Sequence, residues 1–241
     1  MSTGSTRTPR YVVVFDCECD SGTTSGNPGD TRDNRIDFMQ FTVICALAMP
    51  TDMIERKAPV EEILQHSTKH TWWRDVAEHG SNPVVTLLEL FDGAELIVGY
   101  NCLGFDFPLI RRFYRPSAEV LYPTQRYVNH RTKTLDIMHR VSDATGHYYK
   151  LDDLLKKNGL QTKSSNGKEA IRMWEEGRRD ELKSYCEQDV LLTARLGLLE
   201  SIRIAEHLKV TSRGFGIRSE LCRISPSVAS GADPDGDFVM V

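Results

Sequence analysis

Near the start of the chain the run Tyr11-Val-Val-Val-Phe15 ends in Asp16-Cys17-Glu18-Cys19. β-Branched and aromatic residues in succession read as a buried strand. Side chains alternate along a strand, so Asp16 and Glu18 point one way and Cys17 and Cys19 the other. Two carboxylates converging at the end of a buried strand repel each other. A hard cation such as Mg²⁺ or Mn²⁺, which prefers carboxylate oxygens and retains waters, relieves that repulsion. Taken alone, the pair is equally well two solvated acids at a strand end.

A second cluster, Gly99-Tyr-Asn-Cys-Leu-Gly-Phe-Asp-Phe-Pro108, places Asp106 where a strand gives way to a helix. Asp before a first-turn Pro is also an ordinary helix start. Gly99 and Gly104 let the backbone approach a ligand, and loops after strand carboxyl ends are where α/β folds carry sites. In the third cluster, Tyr185-Cys-Glu-Gln-Asp189, Tyr185 and Asp189 are four apart and share a helix face, while Glu187 points elsewhere. The series Leu182, Val190, Leu191, Ala194 and Leu198 packs that helix on a core, which leaves Asp189 at the edge of the buried face.

The elements that must position these residues follow from pattern and punctuation. Strands are expected at Tyr11–Phe15, Phe38–Ala48, around Asp52–Arg56, at Leu96–Tyr100 and at Thr134–Met138. Helices are expected at Pro59–Gln65, at Asn82–Phe91 with Asn82 as cap and Pro83 in the first turn, at Pro108–Tyr114, at Leu151–Asn158 closed by Gly159, and from Asp180 to about His207. The polar, Gly-rich stretch Asp20–Arg35 reads as a loop. Strands first, then helices alternating with short strands, describe an α/β or α+β domain around one mixed sheet. Residues 1–9 and 226–241 read as polar tails and 10–225 as a single folded domain.

Composition narrows the function. The 241 residues are 40% hydrophobic and 27% charged, the make-up of a globular protein. No apolar run approaches the ~20 residues of a spanning helix, and the polar start lacks a secretory apolar stretch, so no membrane partner and an intracellular place, cytoplasmic or nuclear, are expected. The six cysteines are spaced neither as a disulfide framework nor as zinc knuckles, and free thiols fit. The net charge of −4 argues against a polyanionic partner. Most of that net charge comes from residues 226–241, where Asp233, Asp235 and Asp237 stand without a basic residue and form an acidic tail open to a protein partner, so the rest of the chain is nearly neutral. Arg111, Arg112, Arg115, Arg126, Arg131 and Lys133 make a locally basic segment, a solvated face or a strand-binding surface.

In combination and order, the three clusters resemble the three motifs of the DEDD (DnaQ-like) 3′–5′ exonuclease superfamily. The fold this implies is ribonuclease H-like, an α/β architecture with a mixed β-sheet flanked by α-helices. Asp16 and Glu18 match the first motif, Asn101 with Phe105-Asp106 the second, and Tyr185 with Asp189 the third. The surrounding residues look most like the proofreading exonuclease domains of family B DNA polymerases, over about Tyr11 to Leu199. Tyr four residues before the last Asp is similar to the DEDDy branch; the histidine branch has His five before, where this chain has Ser184.

The resemblance implies two Mg²⁺ or Mn²⁺ ions ~3.5–4 Å apart. Asp16 would bridge them, Glu18 and Asp189 would complete the first site, and Asp106 would hold the second mainly through water. Tyr185 would orient the attacking water as the fifth catalytic residue, and Asn101, Leu103 and Phe105 would contact the terminal nucleotide. The activity implied is hydrolysis of DNA, at single-stranded or frayed 3′ ends, to 5′-mononucleotides. An exoribonuclease of the same fold and a catalytically idle nucleic-acid-binding module are the alternatives. Phe105 and Leu103 also suit a core, Trp72 and Trp73 suit packing as well as base stacking, and His79 and His147 lack metal-ligand spacing.

Overall fold

A computed structural model of the chain describes residues 10–22, 36, 39–76, 83–115, 124–162, 167–205, 208–211 and 215–224. Both tails, most of the expected Gly-rich loop and the Asn82 cap lie outside these residues.

Strand β1 (Tyr11–Cys19) lies at the centre of a five-stranded sheet. It pairs antiparallel with β2 (Phe41–Pro50), which pairs antiparallel with β3 (Thr68–Trp73). On its other side β1 runs parallel to β4 (Leu96–Gly99), and β4 runs parallel to β5 (Thr134–Asp136). The order is β3-β2-β1-β4-β5. Val12, Val13 and Val14 are fully buried because both sheet faces are covered.

The pleat divides the interior in two. Val12 and Val14 join Val43, Cys45 and Leu47 in a core completed by Leu182, Cys186 and Val190 of a long helix. Val13, Phe15 and Cys17 face the opposite core, with Leu87, Leu88, Phe91 and Phe107. There Phe15 meets Phe91 and Phe107 edge-on at 4.8 and 5.6 Å, a favoured aromatic geometry. Asp16, two residues after Val14, is thereby committed to the side of the long helix.

Helix α1 (Thr51–Glu55) replaces the strand expected around Asp52–Arg56. The β2 ladder reaches Pro50 opposite Tyr11, where β1 begins, and the amide of Thr51 takes the carbonyl of Arg10. With no partner strand left, the chain coils and buries Met53 and Ile54. Helix α2 (Val60–Gln65) follows as expected, and the third strand is β3 instead.

Helix α3 (Pro83–Gly93) leads to β4, and α4 (Asp106–Ile110) continues into a 3-10 turn at Arg111–Tyr114. Then come α5 (Gln125–Thr132), β5, α6 (Ile137–Thr145), α7 (Leu151–Lys157), α8 (Gly167–Glu175) and α9 (Arg179–Gly197). Gly159 after α7 has φ 67°, the left-handed stop expected there. Helix α9 ends ten residues earlier than expected. In Ser201-Ile-Arg-Ile204 burial alternates, Ile202 and Ile204 in and Ser201 and Arg203 out, a period-2 pattern that makes β6 (Ser201–Ala205). It pairs with β7 (Leu208–Thr211), and α10 (Ile217–Ile224) follows.

Buried His130 on α5 joins Asp92 Oδ1 through Nε2 at 2.7 Å and the Tyr114 hydroxyl through Nδ1 at 2.9 Å. Burial holds its pKa below the ordinary value in spite of Asp92. The unfolded chain then binds the extra proton more readily, so this site's contribution to stability is present above about pH 6.5 and is lost as pH falls below it. His130→Gln is expected to flatten the fall of thermal midpoint between about pH 7.5 and 5.5; curves of wild type and variant that stay parallel would contradict this.

Candidate active site

Past Phe15 the alternation of β1 puts half-exposed Asp16 and Glu18 on the face covered by α9, and buries Cys17 and Cys19 on the other. One oxygen from each acid and the sulfur of Cys186 lie within 4.8 Å of one another. Cys186 is a site neighbour that sequence reasoning missed. Its Sγ is 3.5 Å from the Asp16 carbonyl oxygen and 3.9 Å from Asp16 Oδ2. Burial first, then Cys45, Asp16 and Glu18, push this thiol well above its ordinary pKa, so it stands as a neutral donor to Asp16.

Helix α9 supplies the facing wall. Tyr185 and Asp189, one turn apart, are both buried, with Asp189 only 4% exposed. Glu187 turns outward to Lys69 and Lys183. The Tyr185 phenol is raised by burial first, then by Asp189, Glu18 and Asp16, which places it in the field of three carboxylates. It stays protonated throughout the neutral range and is available as a hydrogen-bond donor.

The third wall is the loop after β4. Gly99 is required there: a Cβ would stand 2.5 Å from Cys102 Cβ and 2.7 Å from its Sγ. Asn101 adopts φ 60°, the left-handed region that Asn tolerates, and its carbonyl accepts the amides of Gly104 and Phe105. The turn is held from below by Asp136, 3% exposed at the end of β5. Its carboxylate accepts the amides of Asn101 and Leu103, each at 2.9 Å, and caps α6 through Met138 and His139. Sequence reasoning treated this residue only as part of a strand. The signal was present, since Asp before an apolar-periodic segment is a helix cap.

Asp106, 2% exposed, begins α4. Its Oδ1 accepts the amide of Cys17 at 2.8 Å, so it grips the β1 backbone between the two strand acids. Burial pushes its pKa up; the Cys17 amide opposes that and nearby Asp136 adds to it. Asp106 and Asp189 lie outside the tight group of Asp16, Glu18 and Cys186. Asn101, Leu103 and Phe105 are half-exposed on the loop, and Leu103 and Phe105 also pack on the second core.

Of the basic segment, Arg126 pairs with Asp92, Lys133 donates to the carbonyls of Asp92 and Ala94, and Arg131 to the Leu103 carbonyl. These cations brace the fold. Trp72 is buried in β3 and donates to Thr86 at 2.7 Å, so it packs.

If the four acids hold metal ions for hydrolysis, replacing Tyr185 by Phe, which leaves them in place, is expected to lower turnover by roughly ten- to a hundredfold with metal dependence retained. A loss as complete as that from removing a strand acid would rule out an orienting role for the hydroxyl.

No helix among the described residues is long and apolar enough to cross a membrane. No curated protein matches the sequence. Among solved structures, a family B DNA polymerase from the hyperthermophilic archaeon Pyrobaculum calidifontis is similar at 17% identity and a TM-score of 0.47, over 79% of this chain and 24% of that one. Exonuclease I is similar at 15% identity and 0.44, over 78% and 40%. The E. coli exonuclease I complex with single-stranded DNA, in a zinc ion bound form, gives 14% and 0.43 over 79% and 40%. The chain thus spans between about a quarter and two fifths of the lengths of these structures. The sequence profile of the RNase_H superfamily matches residues 63–198, more than half of the chain, and the chain belongs to that superfamily.

Proposed function

We propose that this chain is a metal-dependent 3′–5′ exonuclease that hydrolyses phosphodiester bonds of DNA at single-stranded or frayed 3′ ends and releases 5′-mononucleotides. The observation that carries the reading is the facing of Asp16 and Glu18 on β1 with buried Tyr185 and Asp189 on α9. The donors are carboxylate oxygens, and the one thiol among them is protonated, so the set fits hard Mg²⁺ or Mn²⁺ better than a thiolate-seeking ion.

Asp16, Glu18 and Asp189 would hold one ion, and Asp16 with Asp106 a second. Two such ions, when bound, supply a nucleophile at neutral pH and charge neutralisation at the attacked phosphate and the leaving 3′ oxygen. The chain's own contribution is positional. The protonated Tyr185 hydroxyl orients the attacking water. The loop at Asn101, Leu103 and Phe105 receives the terminal nucleotide, with apolar groups against its base. Asp106, fixed to the β1 backbone, keeps the loop and the strand acids in one frame.

Digestion of 5′-labelled DNA and RNA, single- and double-stranded, with and without Mg²⁺ or Mn²⁺ tests the reading. A ladder shrinking from the 3′ end only when metal is present is expected. Absence of cleavage with either ion would sink it, and faster loss of RNA than DNA at equal salt would transfer the substrate assignment to RNA.

A further inference from the structure

The antiparallel ladder of β1 and β2 shifts register beside a strand acid. Glu18 stands opposite Val43 and Cys19 opposite Phe41, so Thr42 is an extra residue on β2. Bulges of this kind sharpen the local twist and re-aim a neighbouring side chain. Arg74, the residue after β3, holds this one twice. Its amide donates to the carbonyl of Thr42 at 3.0 Å. Its guanidinium pairs with Oδ2 of Asp20, two residues beyond Glu18. The other oxygen of Asp20 accepts the amides of Gln40 at 2.9 Å and Gly22 at 3.2 Å, and the Asp20 amide donates to the Gln40 carbonyl, which closes the ladder past the bulge.

The same guanidinium lies over the ring of Trp174 on α8, 4.7 Å from its centroid. Arg179, in the first turn of α9, covers that ring at 3.8 Å and the ring of Trp73 at 5.0 Å, and pairs with Asp75 through its two terminal nitrogens. A cation within about 6 Å of a ring face is attracted to it, so Arg74, Trp174, Arg179 and Trp73 form one alternating stack. Both tryptophans also pack on the first core. The stack runs from the segment just after Glu18 to the start of the helix that bears Tyr185 and Asp189, and so joins the two facing walls of the site.

We propose that Arg74 is a positioning residue for Glu18, holding the bulge through Thr42 and the strand end through Asp20 so that the Glu18 carboxylate is presented beside Asp16 to a metal ion; the inference rests on the metal-site reading above. A long acidic side chain at a strand end would otherwise have to be ordered at the expense of ion binding. The pair that orders it is partly shielded, with Arg74 26% and Asp20 21% exposed, and hydrogen bonds between ionised groups are the strong ones. Charge alone argues the other way. A guanidinium near a divalent ion repels it, so simple removal of Arg74 would tighten ion binding, whereas loss of positioning weakens it.

The electron paramagnetic resonance signal of free Mn²⁺ reads ion binding without any turnover. Arg74→Ala is expected to weaken Mn²⁺ binding by about tenfold, the size of effect that follows loss of a support behind a ligand. Arg74→Met, which keeps a stem against Trp174, carries the same expectation and decides the matter if the alanine variant does not fold. Asp20→Asn keeps an oxygen for the two amides and breaks the pair with Arg74. The double variant Asp20→Asn/Arg74→Ala is expected to lose little more than either change alone, because the two residues act as one unit. Binding that is unchanged or tighter without Arg74 overturns the inference, and so do losses that simply add in the double variant. Wild-type protein that binds no Mn²⁺ overturns it together with the metal site. Wild-type protein that binds Mn²⁺ and loses it with Arg74, yet cleaves neither DNA nor RNA, removes the exonuclease and leaves the positioning role standing.

Discussion

Asp16→Asn is expected to abolish metal-dependent cleavage, by roughly three orders of magnitude or more, while the far-ultraviolet circular dichroism and thermal midpoint stay close to wild type. The change keeps the shape of the side chain and removes one full charge beside the proposed divalent ions. A loss of this size corresponds to about 4 kcal/mol of transition-state stabilisation, within what a positioned metal supplies. The fold should tolerate it because Asp16 is half-exposed at the end of β1 and its neighbours Phe15 and Cys17 carry the packing. Relief of the repulsion between Asp16 and Glu18 should offset part of any lost contact with Cys186. Near wild-type turnover in the variant, measured with Mg²⁺ and again with Mn²⁺, would overturn the assignment of this face as the catalytic one.

The second large effect concerns Asp136, which touches no proposed substrate atom. Its buried carboxylate accepts amides from Asn101, Leu103, Met138 and His139 and so ties the loop carrying Asp106 to the start of α6. Asp136→Ala leaves these donors without their acceptor and is expected to cost about 3 kcal/mol or more in urea unfolding. Asp136→Asn keeps an acceptor oxygen but sets an amide N–H against the same donors. It should fold with intermediate stability and show a lowered turnover number with little change in KM, as a positioning residue would. A variant with wild-type stability and turnover would show that the loop holds its shape unaided.

These cases also show which parts of the molecule were legible in its sequence. The central strands were, because Val12–Val14 and Leu96–Val98 are apolar on both faces and lie between clear breaks. The face shared by Asp16 and Glu18 followed from alternation alone, and that shared by Tyr185 and Asp189 from helical periodicity. The third strand was misplaced because Thr-Lys-His-Thr-Trp-Trp is an edge strand with mostly half-exposed side chains, and its identity comes from pairing with β2. Met53 and Ile54 look strand-like in isolation, but the ladder has no partner left at Pro50. The final helix, expected to run to about His207, stops at Gly197 because Ile202 and Ile204, buried and separated by two, belong to a strand paired with β7. The capping of α6 by Asp136 was legible locally, but its hold on Asn101 and Leu103 was not, because those two partners lie more than thirty residues away on a turn whose left-handed Asn101 no local pattern announces. Cys186 escaped because a thiol acting as a donor to an acid has no spacing signature.

The two faces of β1 carry opposite coordination chemistries, oxygen from Asp16 and Glu18 on one and sulfur from Cys17 and Cys19 on the other. A slip of one residue against β2 would exchange them, offering thiols beneath Tyr185 and driving two carboxylates into the aromatic cluster around Phe91 and Phe107. The slip is opposed from both sides of the strand, by the antiparallel ladder with β2 and the parallel one with β4. Which kind of ion this protein can use is therefore decided by the register of one central strand as much as by the four acids themselves.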